Sequence, residues 1–389
     1  MLRRVLDCVT KRTNTVIIVG AGKTGREMME FIEENSDITV KAFFDNNEDL
    51  IGNRINNIEI MKPYKEKDEK VLYVVAVVSP KMRDELCAQL EALKIQMDDI
   101  VVCYPTRDYA YLSSLDEKYY EEEIQDIYFQ TFGKKINWQH PSTYNEIINW
   151  ERLNVKDERR TRLADKFLVR DWVKEQIGEK YLTKLYGVWD NAEDIDFEAL
   201  PDAFVLKVNN GSGRNIVVKD KSKIDQGEIR RQLNEWKRIN YAYMFLEFQY
   251  KDIVPKIICE EYLEGVAENV YDYNIYCFHG EPAYIWCIRE SHKPDCKASF
   301  YSKDWEMMPF SYGYPKDEII APRPEKLEEM LEISRVLSKD FQHVRVDLYN
   351  LPDGRVLFGE MTFTTWGGWM HWEPEEYDLI FGKMILGNE

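Results

Sequence analysis

Between residues 16 and 104 the chain alternates short apolar runs with amphipathic stretches. VIIV (16–19), VKAFF (40–44), VLYVVAVV (71–78) and IVVC (100–103) read as strands, and Thr24–Glu34 and Pro80–Leu93 as helices. Strands that alternate with helices predict a parallel, doubly wound sheet. No other feature limits the fold of the N-terminal part as strongly.

The first turn of that sheet is GAGKTG, with Gly20, Gly22 and Gly25 in GxGxxG spacing. Asp45 ends the next strand, 20 residues beyond Gly25. In a dinucleotide site such glycines let the backbone approach a pyrophosphate at a helix N-terminus, and the acid holds a ribose. A sheet–helix junction that only needs small residues gives the same spacing. The GKT triplet is no P-loop, because Ile17 stands where that motif needs glycine. No catalytic His or Tyr-Lys pair accompanies the motif, so NAD redox chemistry is not expected.

The 389 residues suffice for two or three domains. Net charge is −18, which argues against general nucleic-acid or anionic-membrane binding. The seven cysteines are scattered, without a CxxC pair, as suits reduced thiols in a cytoplasm. MLRRVLDCVT has two arginines but no apolar core, so no secretory signal is expected. No apolar run approaches the ~18 residues of a membrane span. Residues 105–160 are acidic and aromatic and read as a helical connecting segment, with a helix ending near Gly133. From 161 onward strands and helices mix, with a hairpin across His279-Gly280-Glu281 and a helix at Glu325–Lys339.

A second hairpin is written in VRVDLYNLPDGRVLFGEMTF, Val344 to Phe363. Asp-Gly between alternating apolar runs is a strong hairpin signal. A two-residue loop at Asp353-Gly354 sets Asp347 opposite Glu360 and Arg345 opposite Thr362. Facing carboxylates with Cβ atoms about 5 Å apart repel. Either the clash is tolerated on an exposed face, or a cation relieves it. Magnesium needs hard oxygen ligands and, beside a nucleotide, takes one or two carboxylates. The grouping of Asp347, Glu360 and Thr362 with Arg345 favours the metal.

Phosphate-binding groups are then expected elsewhere. FVLKVNNGSGRNIVV puts Lys207 on a strand before the turn Gly211-Ser212-Gly213. Backbone N–H groups of such a turn can close over phosphates, though ordinary hairpins look alike. Lys166 stands near a helix start in ADKFLVRDWVKE. KIICEEYLEG ends a strand in acids, which suits an adenine hinge or a solvated turn.

Taken in order, these segments resemble the TupA-like ATP-grasp family of polysaccharide biosynthesis proteins. The resemblance covers about residues 125–389. It rests on YFQTFGKKINWQHPSTYNEIINW, TRLADKFLVRDWVKEQIGEKYL, GVWDN, LPDAFVLKVNNGSG, ICEEYLE, DYNIYCFHGEPAYI, FYSKDWEMMPF, RVDLY and GEMTF. It implies ATP and Mg2+ as cofactors. Lys166 and Lys207 look like phosphate lysines, and Glu261, Tyr262 and Leu263 like the hinge, beside which Glu264 or Asp272 could hold ribose hydroxyls. Asp347, Glu360 and Thr362 look like the metal set, with Thr362 where the superfamily commonly has Asn. Arg289 and Arg345 are candidates for stabilising an acyl phosphate, with structural ion pairing as the alternative.

FFDNNEDLIG and Pro63 make the N-terminal part similar to the Rossmann-like domain that begins many bacterial sugar acyltransferases, where it contacts a nucleotide sugar. The expected fold is therefore α/β: a Rossmann-like domain (1–104), a helical segment (105–160) and an α+β ATP-grasp catalytic domain (161–389). The expected activity is amide formation between an amine and a carboxylated sugar or glycan. A glycan kinase and a non-catalytic nucleotide-binding module are the alternatives. TTWGGWMHW (364–372) departs from the Pro-Gly expected after the TF pair. Its tryptophans read as a sugar-stacking platform or as core.

Overall fold

A computed structural model describes residues 2–66, 70–77, 80–103, 109–263, 271–289 and 296–387. The chain divides into two compact units, Met1–Leu115 and Asp116–Glu389.

The first unit comprises α1 (Leu2–Thr10), β1 (Thr15–Val19), α2 (Lys23–Asn35), β2 (Thr39–Phe44), β3 (Arg54–Ile55), β4 (Ile58–Met61), β5 (Leu72–Ala76), α3 (Pro80–Ala92), β6 (Ile100–Cys103) and α4 (Tyr109–Ser114). Its sheet runs β3-β4-β2-β1-β5-β6. All pairs are parallel except β3 with β4. Val16 and Ile18 pack with Val5, Leu6 and Val9 of α1 and Met28, Met29 and Ile32 of α2. Ile17 and Val19 face the other way, with Leu86 and Leu90 of α3. Both faces of β1 are covered, so every residue of the run must be apolar.

The expected strands and helices of this unit are present within one or two residues, although Val78 lies outside the described residues. Helix α1 and the β3–β4 hairpin were not foreseen. The hairpin turns at Asn56 and Asn57, with φ of 46° and 67°. Two consecutive left-handed residues make the turn that matches strand twist, and Asn tolerates that region.

The second unit holds α5 (Tyr120–Phe132), α6 (Tyr144–Asn154), α7 (Glu158–Ala164), α8 (Leu168–Gln176), β7 (Leu185–Trp189), β8 (Phe204–Val208), β9 (Asn215–Val218), α9 (Gln226–Arg238), α10 (Ala242–Phe245), β10 (Ile257–Glu261), β11 (Tyr271–Phe278), β12 (Glu281–Arg289), β13 (Lys297–Ser302), β14 (Ser311–Tyr312), α11 (Leu327–Ser338), β15 (His343–Asn350), β16 (Val356–Thr362), β17 (Trp372–Glu373) and α12 (Glu376–Leu386). Two antiparallel sheets run β7-β10-β8-β9 and β13-β12-β11-β15-β16, and β14 pairs with β17. The helices expected as a connecting segment belong, from Asp116 onward, to this unit. Among the described residues no helix is long and apolar enough to cross a membrane.

The β15–β16 hairpin differs from expectation at its turn. Gly354 N–H donates to Leu351 O at 2.9 Å and Leu351 N–H to Arg355 O at 2.8 Å. The loop is thus Pro352-Asp353-Gly354, one residue longer than supposed. A two-residue loop would need an N–H from the residue before Asp353, and Pro352 has none. Left alone, this change would put Glu360 on the opposite face. A bulge at Gly359 restores the register, and Asp347 pairs directly with Glu360, and Arg345 with Thr362. A Cβ at Gly359 would lie 3.0 Å from Asp347 O, so any larger residue at the bulge would have to push that carbonyl back by a few tenths of an ångström.

Glu151 of α6 ties this hairpin to the helices. It accepts from Arg160 Nη1 at 2.8 Å and meets His343 Nε2 at 2.8 Å. Burial alone would raise its pKa, but His343 and then Arg160 outweigh that and hold it down at about 2. A depressed carboxylate stabilises the fold above its ordinary pKa, and that stability is lost as pH falls through the native value. The thermal midpoint should therefore fall from about pH 4.5 toward about pH 2, and Glu151→Gln should flatten that limb. Calorimetry across this window checks it; an unchanged acid limb in the variant contradicts it.

Candidate active site

Period-two alternation divides the larger sheet into two faces. Tyr273, Ile275, Val344, Val346, Leu348 and Met361 face Leu327, Met330 and Leu331 of α11 in one core. The residues between them make the other face. Asn274, Asp347 and Glu360 form one row across β11, β15 and β16, and Tyr276, Arg345 and Thr362 the next. Asp272 pairs with Tyr349 on that same face.

The repulsion between Asp347 and Glu360 is relieved within this face. Arg345 donates from Nε to Asp347 Oδ1 at 2.7 Å and from Nη2 to Asp347 Oδ2 at 2.5 Å. Nη2 also reaches Thr362 Oγ1 at 3.1 Å and Glu360 Oε1 at 3.4 Å. Thr362 Oγ1 donates to Glu360 Oε1 at 2.9 Å. Burial pushes the Asp347 carboxyl up from its ordinary range against the pull of Arg345, and the charges of Glu360 and Asp272 add to the rise. Burial acts on Glu360 in the same direction, but Lys166 first and Arg345 second hold its pKa below the usual value.

Lys166 arrives here because Asp165 fixes the start of α8. Asp165 Oδ1 accepts from the Phe167 and Leu168 amides at 2.8 and 3.2 Å, satisfying two N–H groups at the entry to the helix. Its Oδ2 accepts from the buried Asn209 side chain at 2.9 Å. The Lys166 amide donates to Asn209 O at 3.2 Å. Its ammonium donates to Gly211 O and lies 4.0 Å from Glu360 Oε2. Burial lowers the Lys166 pKa, with Glu360 opposing and Lys207 adding. The glycine turn is sterically required at one point: a Cβ at Gly211, where φ is 152°, would sit 2.6 Å from the Tyr241 ring. Gly213 has φ 71°, and Ser212 between them is exposed.

Lys207 Nζ donates to Glu260 Oε2 at 2.7 Å. Oε1 of Glu260 accepts from Arg170 at 2.6 Å and from Thr183 at 2.9 Å. Burial would raise the Glu260 pKa, but Lys207 and then Arg170 hold it down. Glu260 is not among the residues the sequence singles out, which are its neighbours Glu261, Tyr262 and Leu263. Alternation was the available signal, since Ile257 and Cys259 are core and Ile258 pairs with Lys207.

Glu261 N–H donates to Lys184 O at 2.9 Å, and its carboxylate accepts from the Lys184 amide and from Arg355. Tyr262 and Leu263 follow, half-buried. Glu264 lies outside the described residues. A cavity of about 590 Å³, within the range of small-ligand sites, is lined here by Phe167, Arg170, Thr183, Leu185, Glu261 and Arg355 among others.

Arg289 does not join the group. It pairs with Tyr271 on the opposite face, because its position is one residue out of phase with Ile288, and it bonds Asp317 at 2.6 Å. Among the described residues no cluster of three or more His, Cys, Asp or Glu could hold a metal. Asp347, Glu360 and Thr362 offer two carboxylates and a hydroxyl, hard oxygens that fit magnesium beside a nucleotide.

In the first unit, Gly20 has φ 106°, and a Cβ at Gly25 would lie 1.9 Å from Gly20 O. Gly22 faces open space. Asp45 accepts from the Ala21 amide at 2.8 Å and the Asn47 amide at 2.8 Å, so its carboxylate is turned onto the glycine loop.

Residues 146–386 match the model of the TupA-like ATP-grasp family. The chain belongs to that family. Residues 12–101 match the C2185-like N-terminal domain. Family and α/β fold class are as the sequence led us to expect, and an ATP-grasp ligase agrees with both. In this TupA-like ATP-grasp chain the matched region opens inside α6 and contains both lysines and both facing carboxylates. Several solved structures are similar at a distance. An L-amino acid ligase from Bacillus licheniformis is 12% identical, covering 96% of this chain and 75% of its own, with a TM-score of 0.37. The D-alanine–D-alanine ligase from Bacillus anthracis, complexed with ATP, is 14% identical over 96% and 97%, with a TM-score of 0.35. N5-carboxyaminoimidazole synthase from Aspergillus clavatus is 11% identical over 90% and 70%, with a TM-score of 0.31. Among curated proteins no relative matches.

Proposed function

We infer that the chain is an ADP-forming carboxylate–amine ligase that acts on a uronic-acid-type sugar or glycan precursor in bacterial surface-polysaccharide biosynthesis. The observation that carries this is Lys166, bonded to the glycine turn and 4.0 Å from Glu360. One ammonium thus links a phosphate-type turn to the carboxylate pair.

In this reading Lys166 and Lys207 bind triphosphate oxygens, and amides of the Gly211–Gly213 turn add donors. Asp347, Glu360 and Thr362 would hold magnesium. Bound there, the metal neutralises phosphate charge. The hinge at Glu261–Leu263 takes the adenine edge, and Asp272 a ribose hydroxyl. Arg345, beside both carboxylates, balances charge on the acceptor. An acceptor carboxylate oxygen bonds the γ-phosphorus and ADP leaves. The amine nitrogen then bonds the acyl carbon, phosphate leaves with its electron pair, and the nitrogen gives up a proton. Such catalysis is mainly positioning and charge neutralisation. A cytoplasmic location fits the seven free cysteines. A nucleotide sugar is the proposed ligand of the first unit.

The test supplies ATP, magnesium, a panel of uronic acids and nucleotide-linked uronates, and hydroxylamine in place of the amine. A hydroxamate, read by its ferric colour and mass, is expected, with phosphate release that needs the acid. A phosphorylated sugar instead would replace the ligase by a kinase. ATP binding with no turnover on any acid, including lipid-linked glycans, would favour the non-catalytic nucleotide-binding module.

A further inference from the structure

The loop after β16 holds a feature the mechanism does not use. Trp366, Gly367 and Gly368 are three consecutive left-handed residues, with φ of 50°, 61° and 67°. Glycine adopts that region freely and tryptophan does not. Two of the three positions carry glycine, yet the first carries the largest side chain there is. Trp366 is 38% exposed.

The loop is held from beneath by one face of α6. Asn145 Nδ2 donates to Met370 O at 3.0 Å, Asn149 Nδ2 to Gly368 O at 3.0 Å, and Arg152 to Gly367 O. Arg152 also lies 4.7 Å from the Trp369 ring. Gly313 keeps room for the exposed indole, since a Cβ there would lie 3.3 Å from Trp366 Nε1. Of the other tryptophans, Trp372 is core at 4% exposed and Trp369 is half-buried under Arg152. Among the described residues Trp366 is the tryptophan with an exposed side chain, the others being buried or half-buried.

Its position says what that surface meets. Trp366 contacts Tyr314 edge-on at 5.1 Å, Tyr314 stacks on Trp286 at 5.6 Å, and the Arg345 guanidinium lies 5.9 Å from the Trp286 ring. The proposed adenine hinge bonds Arg355, just before β16, while Trp366 stands beyond its far end. Glu360 lies between. Base, phosphates and acceptor acid would follow one another along β16, and Trp366 comes after the acid.

We propose that Trp366 is the stacking platform for the pyranose ring of the acceptor, a sugar whose carboxylate reaches toward Arg345. This rests on the ligase reading above. The C–H face of a pyranose suits the negative face of an indole, while its hydroxyl rim stays in water.

Saturation-transfer NMR on the full chain without ATP tests it. The probes are glucuronic acid, galacturonic acid and their methyl glycosides. Irradiating aromatic protons should label pyranose C–H protons in the wild type. Trp366→Gly relieves the left-handed backbone, so the fold should be kept and the thermal midpoint should not drop. Its transfer should fall about fivefold or more, and Trp366→Phe should retain most of it. Absence of transfer to every probe in the wild type, or equal transfer in Trp366→Gly, overturns the proposal. Neither outcome touches ATP turnover, which decides the ligase reading separately.

Discussion

Replacing Glu360 by glutamine is expected to lower ATP turnover by about two to three orders of magnitude while leaving the protein folded. Glu360 stands between Lys166 on one side and Arg345 and Thr362 on the other. It accepts from Thr362 at 2.9 Å, is touched by Arg345 at 3.4 Å and lies 4.0 Å from Lys166. The amide keeps the shape and loses the charge that would hold a cation. Stability should fall only modestly: the amide gives up the charge that Lys166 and Arg345 favour, but the side chain is 35% exposed and the repulsion on Asp347 eases. A coupled assay for ADP, with circular dichroism on the same preparation, reads both effects. Turnover near the wild-type rate would remove Glu360 from the metal set, and an unfolded variant would show that its charge is structural.

Replacing Arg345 by methionine should cost the second unit about 3–5 kcal/mol of stability, the penalty for stripping one partner from a buried ion pair. Arg345 and Asp347 are 11% and 14% exposed, and the guanidinium makes two bonds to that carboxylate. Without it, Asp347 and Glu360 face each other with Lys166 as the nearest cation the structure provides for Glu360. The double variant Arg345→Met/Asp347→Leu should recover most of the loss, because a well-packed apolar pair has no desolvation cost to offset. Magnesium offers a sharper readout. A divalent ion that binds between the carboxylates should raise the unfolding midpoint of Arg345→Met more than that of the wild type. Equal shifts in the two proteins would contradict a metal site at this pair, and urea titrations with and without magnesium measure both quantities.

Strands were legible wherever alternation or a continuous apolar run marked them, and so was the pairing of Asp347 with Glu360. At the turn the Asp-Gly pair predicts a two-residue loop, but the N–H that proline lacks at Pro352 makes the loop three residues. Arg289 looked catalytic by its charge, but its position one residue past Ile288 put it on the wrong face. The polar stripe of α6 was illegible for a different reason. Asn145, Asn149 and Arg152 have the spacing of a solvated helix face, yet all three are buried. Their partners are carbonyls more than 200 residues away along the chain, at separations of 225, 219 and 215. Only a tertiary fold can turn such a stripe inward. Glu260 is masked by the run of acids at the strand end, and only the alternation set by the core residues Ile257 and Cys259 marks it as sharing the face of Ile258 and Lys207.

The bulge at Gly359 makes the hairpin tolerant of lost length and intolerant of added bulk. Deleting the residue would straighten β16 and still bring Glu360 opposite Asp347, because the extra residue is the one removed. Keeping the residue but enlarging it is worse. A side chain crowding Asp347 O favours direct pairing at 359, and every later residue to Thr362 then exchanges faces. Related chains can therefore differ by a one-residue gap at this point and keep the same pair of acids, while an ungapped relative with a bulky residue here would not.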